Sequence, residues 1–264
     1  MFFKRNFRIL EIFNSILQCL SQTKPLTEFF LKEKNLEKIL SYFGREDKLT
    51  PYYYELIQSL WSKDGPKSFS PTNFMKVVEK MNPLFKVGQA GDSKDFIIFI
   101  LESLHKELKI QLNAGNNNQN NQPLNQYDKK NAFNYFLAEF KNDFSIISDT
   151  FFGINETMNE CLNCKNNYAM MNMNCPICYN YGIFNCLIFP LEEVKNHRNN
   201  LNNFNFNFNN MPIPNQVTLD DCFIYNQKME LFTGENRNYC NNCRLLFDSN
   251  YCTRIYSNPK ILIL

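Results

Sequence analysis

Cys161-Leu-Asn-Cys164 and Cys240-Asn-Asn-Cys243 are the residues in this sequence best spaced to do chemistry. Two residues between thiolates let both sulfurs of a pair reach one tetrahedral ion at ~2.3 Å, with turn amides facing the sulfurs. Two such pairs predict one structural zinc held by Cys161, Cys164, Cys240 and Cys243. About 75 residues separate the pairs, so the metal would clamp segments remote in sequence, where loop closure is entropically costly. A third pair, Cys175-Pro-Ile-Cys178, could compete for the ion, bind a second one with help from Cys186 or Cys222, or bind nothing. Its turn-like flanks, MNMNCPICYNYG, favour no metal. Cys186, Cys222 and Cys252 sit in apolar runs and are expected in the core. His105 and His197 are the only histidines. Both read as packed or solvated structural residues, so no histidine-based catalytic constellation assembles.

Several elements must position these cysteines. Residues Ile12, Phe13, Ile16, Leu17 and Leu20 recur at helical spacing and predict a helix near the start. Glu11, Asn14, Ser15 and Gln18 interrupt it too often for a signal-peptide core. Further helical faces run through Pro25 to Phe43, through Tyr53 to Trp61, through Phe74 to Met81, and from about Ser93 to Leu112. Thr50-Pro51 and Ser70-Pro71 each read as a cap followed by proline at the first helical position. A short apolar helix is expected around Phe133 to Phe140. Beyond it the texture becomes β-rich, with strand-like runs at Phe144 to Phe152, Ile183 to Phe189, Tyr251 to Tyr256 and Lys260 to Leu264. Two Asn-rich inserts, 113–127 and 195–216, read as solvated loops. The organisation predicted is a helical subdomain over 1–142 and a β-rich one over 143–264.

Composition narrows the functional classes. With 44% hydrophobic and 20% charged residues, the chain reads as globular. A net charge of +2, with Lys and Arg scattered among 26 acidic residues, argues against a nucleic-acid binder. No run approaches the ~18 apolar residues of a membrane span. Ten cysteines without a secretory signal point to a reducing, cytoplasmic or nuclear location.

Taken in order, further segments resemble the ubiquitin-specific protease family. Asn14-Ser-Ile-Leu-Gln-Cys19-Leu20 is similar to the first helix of that family, which reads C-[FY]-M-N-S-x-L-Q-C-L. Gly91-Asp-Ser-Lys-Asp-Phe96, followed by Leu101 and Leu104-His105, resembles its QQDAxEF box. The two zinc pairs match its finger-tip cysteines. Thr218-Leu-Asp-Asp-Cys222, Glu230-Leu-Phe-Thr-Gly-Glu-Asn236 with Tyr239-Cys240, and Pro259-Lys-Ile-Leu-Ile-Leu264 resemble three later segments. The resemblance implies an α+β, papain-like cysteine peptidase fold, with a helical thumb, β-rich zinc-bearing fingers and part of the palm. It also implies the family activity, thiol-dependent cleavage after ubiquitin's C-terminal glycine, with ubiquitin or a ubiquitinated protein as partner. In that family the fingers grip ubiquitin's globular body and the thumb–palm cleft takes its tail.

The departures bear on catalysis. Counting back from Asn14, the family's nucleophilic cysteine falls on Glu11, and a carboxylate cannot replace the attacking thiolate. Cys19 matches the second, structural cysteine of the motif. Asn6 corresponds to the oxyanion-donating Asn, without the flanking glycines. The general-base His and its Asp/Asn partner would lie beyond Leu264. Losing one member of a serine-protease triad already costs on the order of 10^6 in rate. The chain as written is therefore expected to be inactive, as a pseudoenzyme or a fragment. The competing expectation is a zinc-dependent interaction module that binds ubiquitin or another partner without catalysis.

Overall fold

The computed structural model describes residues 8–35, 37, 39, 41, 47–61, 69–86, 92–110, 130–141, 143–170, 177–205 and 216–264. They fall into two compact units. One comprises Met1–Asn117 with Glu139–Phe152, the other Asn118–Ala138 with Gly153–Leu264.

The first unit is helical: α1 (Arg8–Gln22), α2 (Lys24–Leu31), α3 (Thr50–Trp61), α4 (Thr72–Met81), α5 (Ser93–Leu108) and α7 (Ile146–Phe151). Its core forms because the apolar residues of each helix recur every three or four positions and share a face. Phe13, Leu17 and Leu20 of α1, Phe30 of α2, Tyr53 and Leu56 of α3, and Phe96, Ile100 and Leu104 of α5 are all buried. Aromatic rings fill the centre, with Phe13 stacked on Phe96 at 4.2 Å and the Phe30 ring edge-on to Tyr53 at 4.9 Å. Asp92 caps α5 by accepting from the Lys94 amide at 2.7 Å. Lys130–Phe140 forms α6, which straddles the division between the units.

The second unit is built on a four-stranded antiparallel sheet in the order β2 (Cys178–Phe184), β1 (Gly153–Cys161), β6 (Ser249–Ser257), β3 (Glu230–Phe232). A separate hairpin pairs β4 (Asn238–Cys240) with β5 (Leu245–Phe247). Three helices complete it: α8 (Leu162–Met170), α9 (Leu191–Asn205) and α10 (Leu219–Asn226). Thr218 opens α10 with a capping box, exchanging hydrogen bonds with Asp221. Arg198 on α9 pairs with Asp221 of α10 at 3.5 Å and donates to the Gln216 carbonyl just before that helix at 2.6 Å.

Several expectations are corrected here. The run at Phe144 to Phe152 is a helix, because Ser145 and Ser148 form a reciprocal capping box that starts α7. Residues 195–205 of the second Asn-rich insert belong to α9, which Val194 anchors by complete burial. Residues 206–215 and the whole first insert, 113–127, lie outside the described residues. Pro71 sits at the N-cap of α4 rather than one position inside it, and no side chain caps that helix. Lys260 to Leu264 forms no ladder; within it the Ile263 carbonyl accepts from the Leu187 amide at 3.0 Å. The helix from Ser93 ends at Leu108, where the backbone turns extended at Lys109 and Ile110 bridges to Phe144.

Candidate metal centre

The sheet and the hairpin deliver the four cysteines to one place. Cys161 ends β1, and the chain turns at once into α8, which carries Cys164 in its first turn. Cys240 ends β4, and Cys243 lies in the turn before β5. That turn is tight: the Arg244 amide donates to the Cys240 carbonyl at 2.7 Å, and Arg244 adopts a left-handed φ of 57°. The two arms are tied by the Leu162 amide donating to the Asp248 carbonyl at 2.9 Å.

All four Sγ atoms lie within 4.8 Å of one another. Cys164 Sγ is 3.5 Å from Cys240 Sγ and 3.3 Å from Cys243 Sγ. Four thiolates at ~2.3 Å from one tetrahedral ion stand about 3.8 Å apart, so the cluster needs adjustments of no more than about 1 Å. The donor set is all sulfur and nearly dry, with Cys161, Cys164 and Cys240 buried and Phe247 packed against them. Asn163, inside the first pair, donates its amide to Cys243 Sγ at 3.3 Å and so supports a charged sulfur. Burial pushes the Cys161 and Cys164 thiols up, and the neighbouring sulfurs add to this at Cys164. Burial opposes ionisation at Cys240 too. There, the Cys243 amide and the Cys164 thiol lead the hydrogen bonds that outweigh burial and bring the thiol down to about 7. The group can therefore hold a metal ion, whose charge would deprotonate the remaining thiols.

The other candidates lie outside the four-sulfur cluster. Cys178 opens β2, partly exposed, and is not one of the four; Cys175 lies outside the described residues. Cys222 and Cys252 are buried as expected, and Cys186 is partly buried. Cys19 is exposed on α1. Glu11 falls in the first turn of α1, and Asn6 lies outside the described residues. His105 is half-buried between the Phe140 and Phe152 rings, its Nδ1 2.7 Å from Ser145 Oγ. Ser145 Oγ already accepts from the Ile147 and Ser148 amides, so its hydroxyl donates to the imidazole. His197 packs edge-on against Tyr225. The sequence reading passed over Asn163 and Arg244. The one signal for either was its place inside or directly after a CxxC pair.

No described helix is long and apolar enough to cross a membrane. The family model described as ubiquitin carboxyl-terminal hydrolase matches residues 4–264. Ubiquitin carboxyl-terminal hydrolase 21 of Mus musculus is 24% identical over 274 residues, covering 95% of this chain and 42% of its own length. Probable ubiquitin carboxyl-terminal hydrolase 4 of Schizosaccharomyces pombe is 22% identical over 263 residues, with 95% and 39% covered. A chain in the structure of the SAGA Ubp8/Sgf11/Sus1/Sgf73 DUB module bound to ubiquitin aldehyde shares the fold, with a TM-score of 0.58 at 15% identity. That match covers 95% of this chain and 43% of the other. This chain thus spans less than half the length of the relatives described.

Proposed function

The chain belongs to the ubiquitin carboxyl-terminal hydrolase family, and we propose that it forms the thumb and the zinc-bearing fingers of a ubiquitin-specific protease domain. Residues 1–142 are the thumb; residues 143–264 are the fingers and the start of the palm. Its partner is ubiquitin or a ubiquitinated protein, and its setting is the cytoplasm or nucleus. The observation that carries this reading is the Cys161, Cys164, Cys240, Cys243 cluster, assembled from two pairs far apart in a chain that the family model matches almost throughout. Those four residues would hold zinc, a closed-shell ion that fixes strand ends without redox chemistry.

Glu11 stands where the resemblance places the nucleophilic cysteine. Thiolate attack on the carbonyl after ubiquitin's last glycine needs a sulfur that can form and later release an acyl-enzyme. A carboxylate there cannot do so, and the chain as it stands binds ubiquitin without cleaving it. Binding is carried by the β-rich unit and is weak, about tens of micromolar, because a contact below ~1,200 Å² supports only transient complexes.

The experiment is an assay of the full chain with a fluorogenic ubiquitin C-terminal substrate, next to a titration of labelled ubiquitin. No turnover, with binding that weakens on chelation, is expected. Turnover abolished by Cys19→Ala would place the nucleophile at Cys19. Turnover surviving that change would overturn the assignment of Glu11.

A further inference from the structure

We infer that Cys178 is a fifth thiol of the metal centre, exchanging into the ligand set in place of Cys161. The inference rests on the zinc reading above and adds a residue to that site.

Strand register carries the argument. Cys178 stands opposite Asn159 at the end of the β1–β2 ladder. Cys161 is two residues beyond Asn159 on β1, and side chains two apart on a strand share a face. Cys178 and Cys161 are therefore diagonal cross-strand neighbours on one face of the sheet, a separation that side chains can span. A cavity of about 20 Å³ on that face is lined by Asn159, Cys161, Cys178, Tyr239, Cys240 and Ser249. Such a volume holds at most about one water molecule, so Cys178 shares a small void with two of the four clustered cysteines. Asn159 Oδ1 is buried and has no hydrogen-bond partner. Cys178 is the first residue of its strand and half-exposed, so it can lean toward Cys161 without disturbing the ladder behind it. Cys164 and Cys243 do not line the cavity.

In the exchange, a bond from Cys178 Sγ to the metal forms as the bond from Cys161 Sγ breaks. The Cys178 thiol gives up its proton and the departing Cys161 thiolate takes one, so the charge of the site is unchanged. The site then tolerates loss of Cys161 but not of Cys164, and the metal has a stepwise way in and out.

The test titrates the full chain with Co²⁺ as the spectroscopic probe, with iodoacetamide mapping of free thiols. Cys178→Ser should bind Co²⁺ within about twofold of wild type. Cys161→Ser should keep one ion about tenfold more weakly, with Cys178 newly protected from alkylation. The Cys161→Ser, Cys178→Ser double variant should lose at least about another hundredfold. Cys164→Ser should lose the ion whether or not Cys178 is present. Independently of how Cys161→Ser folds, Cys178→Ser should release its ion to a chelator about fivefold more slowly than wild type. Equal binding by Cys161→Ser and the double variant, or equal release rates for wild type and Cys178→Ser, would overturn the inference and leave the four-cysteine site standing. A wild-type chain that binds no Co²⁺ would instead overturn the zinc reading itself.

Discussion

Glu107, buried on α5, holds the start of α3. Its two oxygens accept from the Leu49 and Thr50 amides at 2.9 and 2.8 Å, and both donors are fully buried. The first amides of a helix have no partner within it, so a carboxylate there satisfies them and complements the positive end of the helix dipole. In the sequence Glu107 sits among Lys106 and Lys109, and its partners are more than fifty residues away, beyond any local pattern. Glu107→Ala strands two buried donors, each worth roughly 1–3 kcal/mol, and should lower stability by about 3 kcal/mol. Glu107→Gln, which keeps one acceptor, should cost about half as much. Urea denaturation midpoints of the two variants check the ranking; equal midpoints for Glu107→Ala and wild type would remove Glu107 from the account.

Among the elements, what was legible depended on how much of a helix or strand is buried on one side only. The periodic helices α1 and α5 are where the apolar spacing put them, because a single stripe faces the core of the first unit. The central strand β1 was not recognised at all. Its residues GINETMNEC bury just Ile154, Met158 and Cys161 deeply, besides the glycine, so no alternation survives. The helix α7 was read as strand because its apolar run gives no period, and the capping serines decide the matter instead. Asn-rich α9 was read as loop because asparagine is a poor helix former, yet Val194 and the pairing with α10 override that preference. That the four cysteines of the two CxxC pairs come together was legible, since that spacing suits convergence on one tetrahedral ion. Where β1 begins, Gly153 faces the ring of Phe184 so closely that a Cβ would lie 2.6 Å from it and 2.7 Å from the Ser257 carbonyl oxygen. Gly153→Ala should therefore destabilise the sheet by about 1–3 kcal/mol, the usual range for overpacking. Adding Phe184→Leu should recover only part of this, because the backbone oxygen remains. Thermal melts of the single and double variants measure it, and a Gly153→Ala protein as stable as wild type would show that β1 enters the sheet elsewhere.

At the scale of the molecule, the two units stand on different foundations. The first has a continuous aromatic and aliphatic core drawn from six helices. The tip of the second does not. The β4–β5 hairpin has three residues a side, and Tyr239, Leu245 and Leu246 are all more than half exposed. A two-stranded hairpin is marginal in water by itself. This one carries two of the four cysteines proposed to hold zinc, with the Arg237–Asp248 pair and the Asn238–Ser249 hydrogen bond beside them. Structural zinc in small domains contributes ~10 kcal/mol or more, far above the ~1 kcal/mol of an exposed ion pair. If the cluster holds zinc as proposed, removing it should free the hairpin and the β1–α8 turn first, loosen the sheet next, and leave the helical unit folded. Hydrogen exchange after chelation should show protection lost over Asn238–Phe247, partly retained along β1 and β6, and unchanged in α1, α3 and α5. Restoring one equivalent of zinc should restore the hairpin's protection. Uniform loss of protection in both units would mean that the helical core depends on the metal as well, and a hairpin indifferent to chelator would mean that its strands need no clamp.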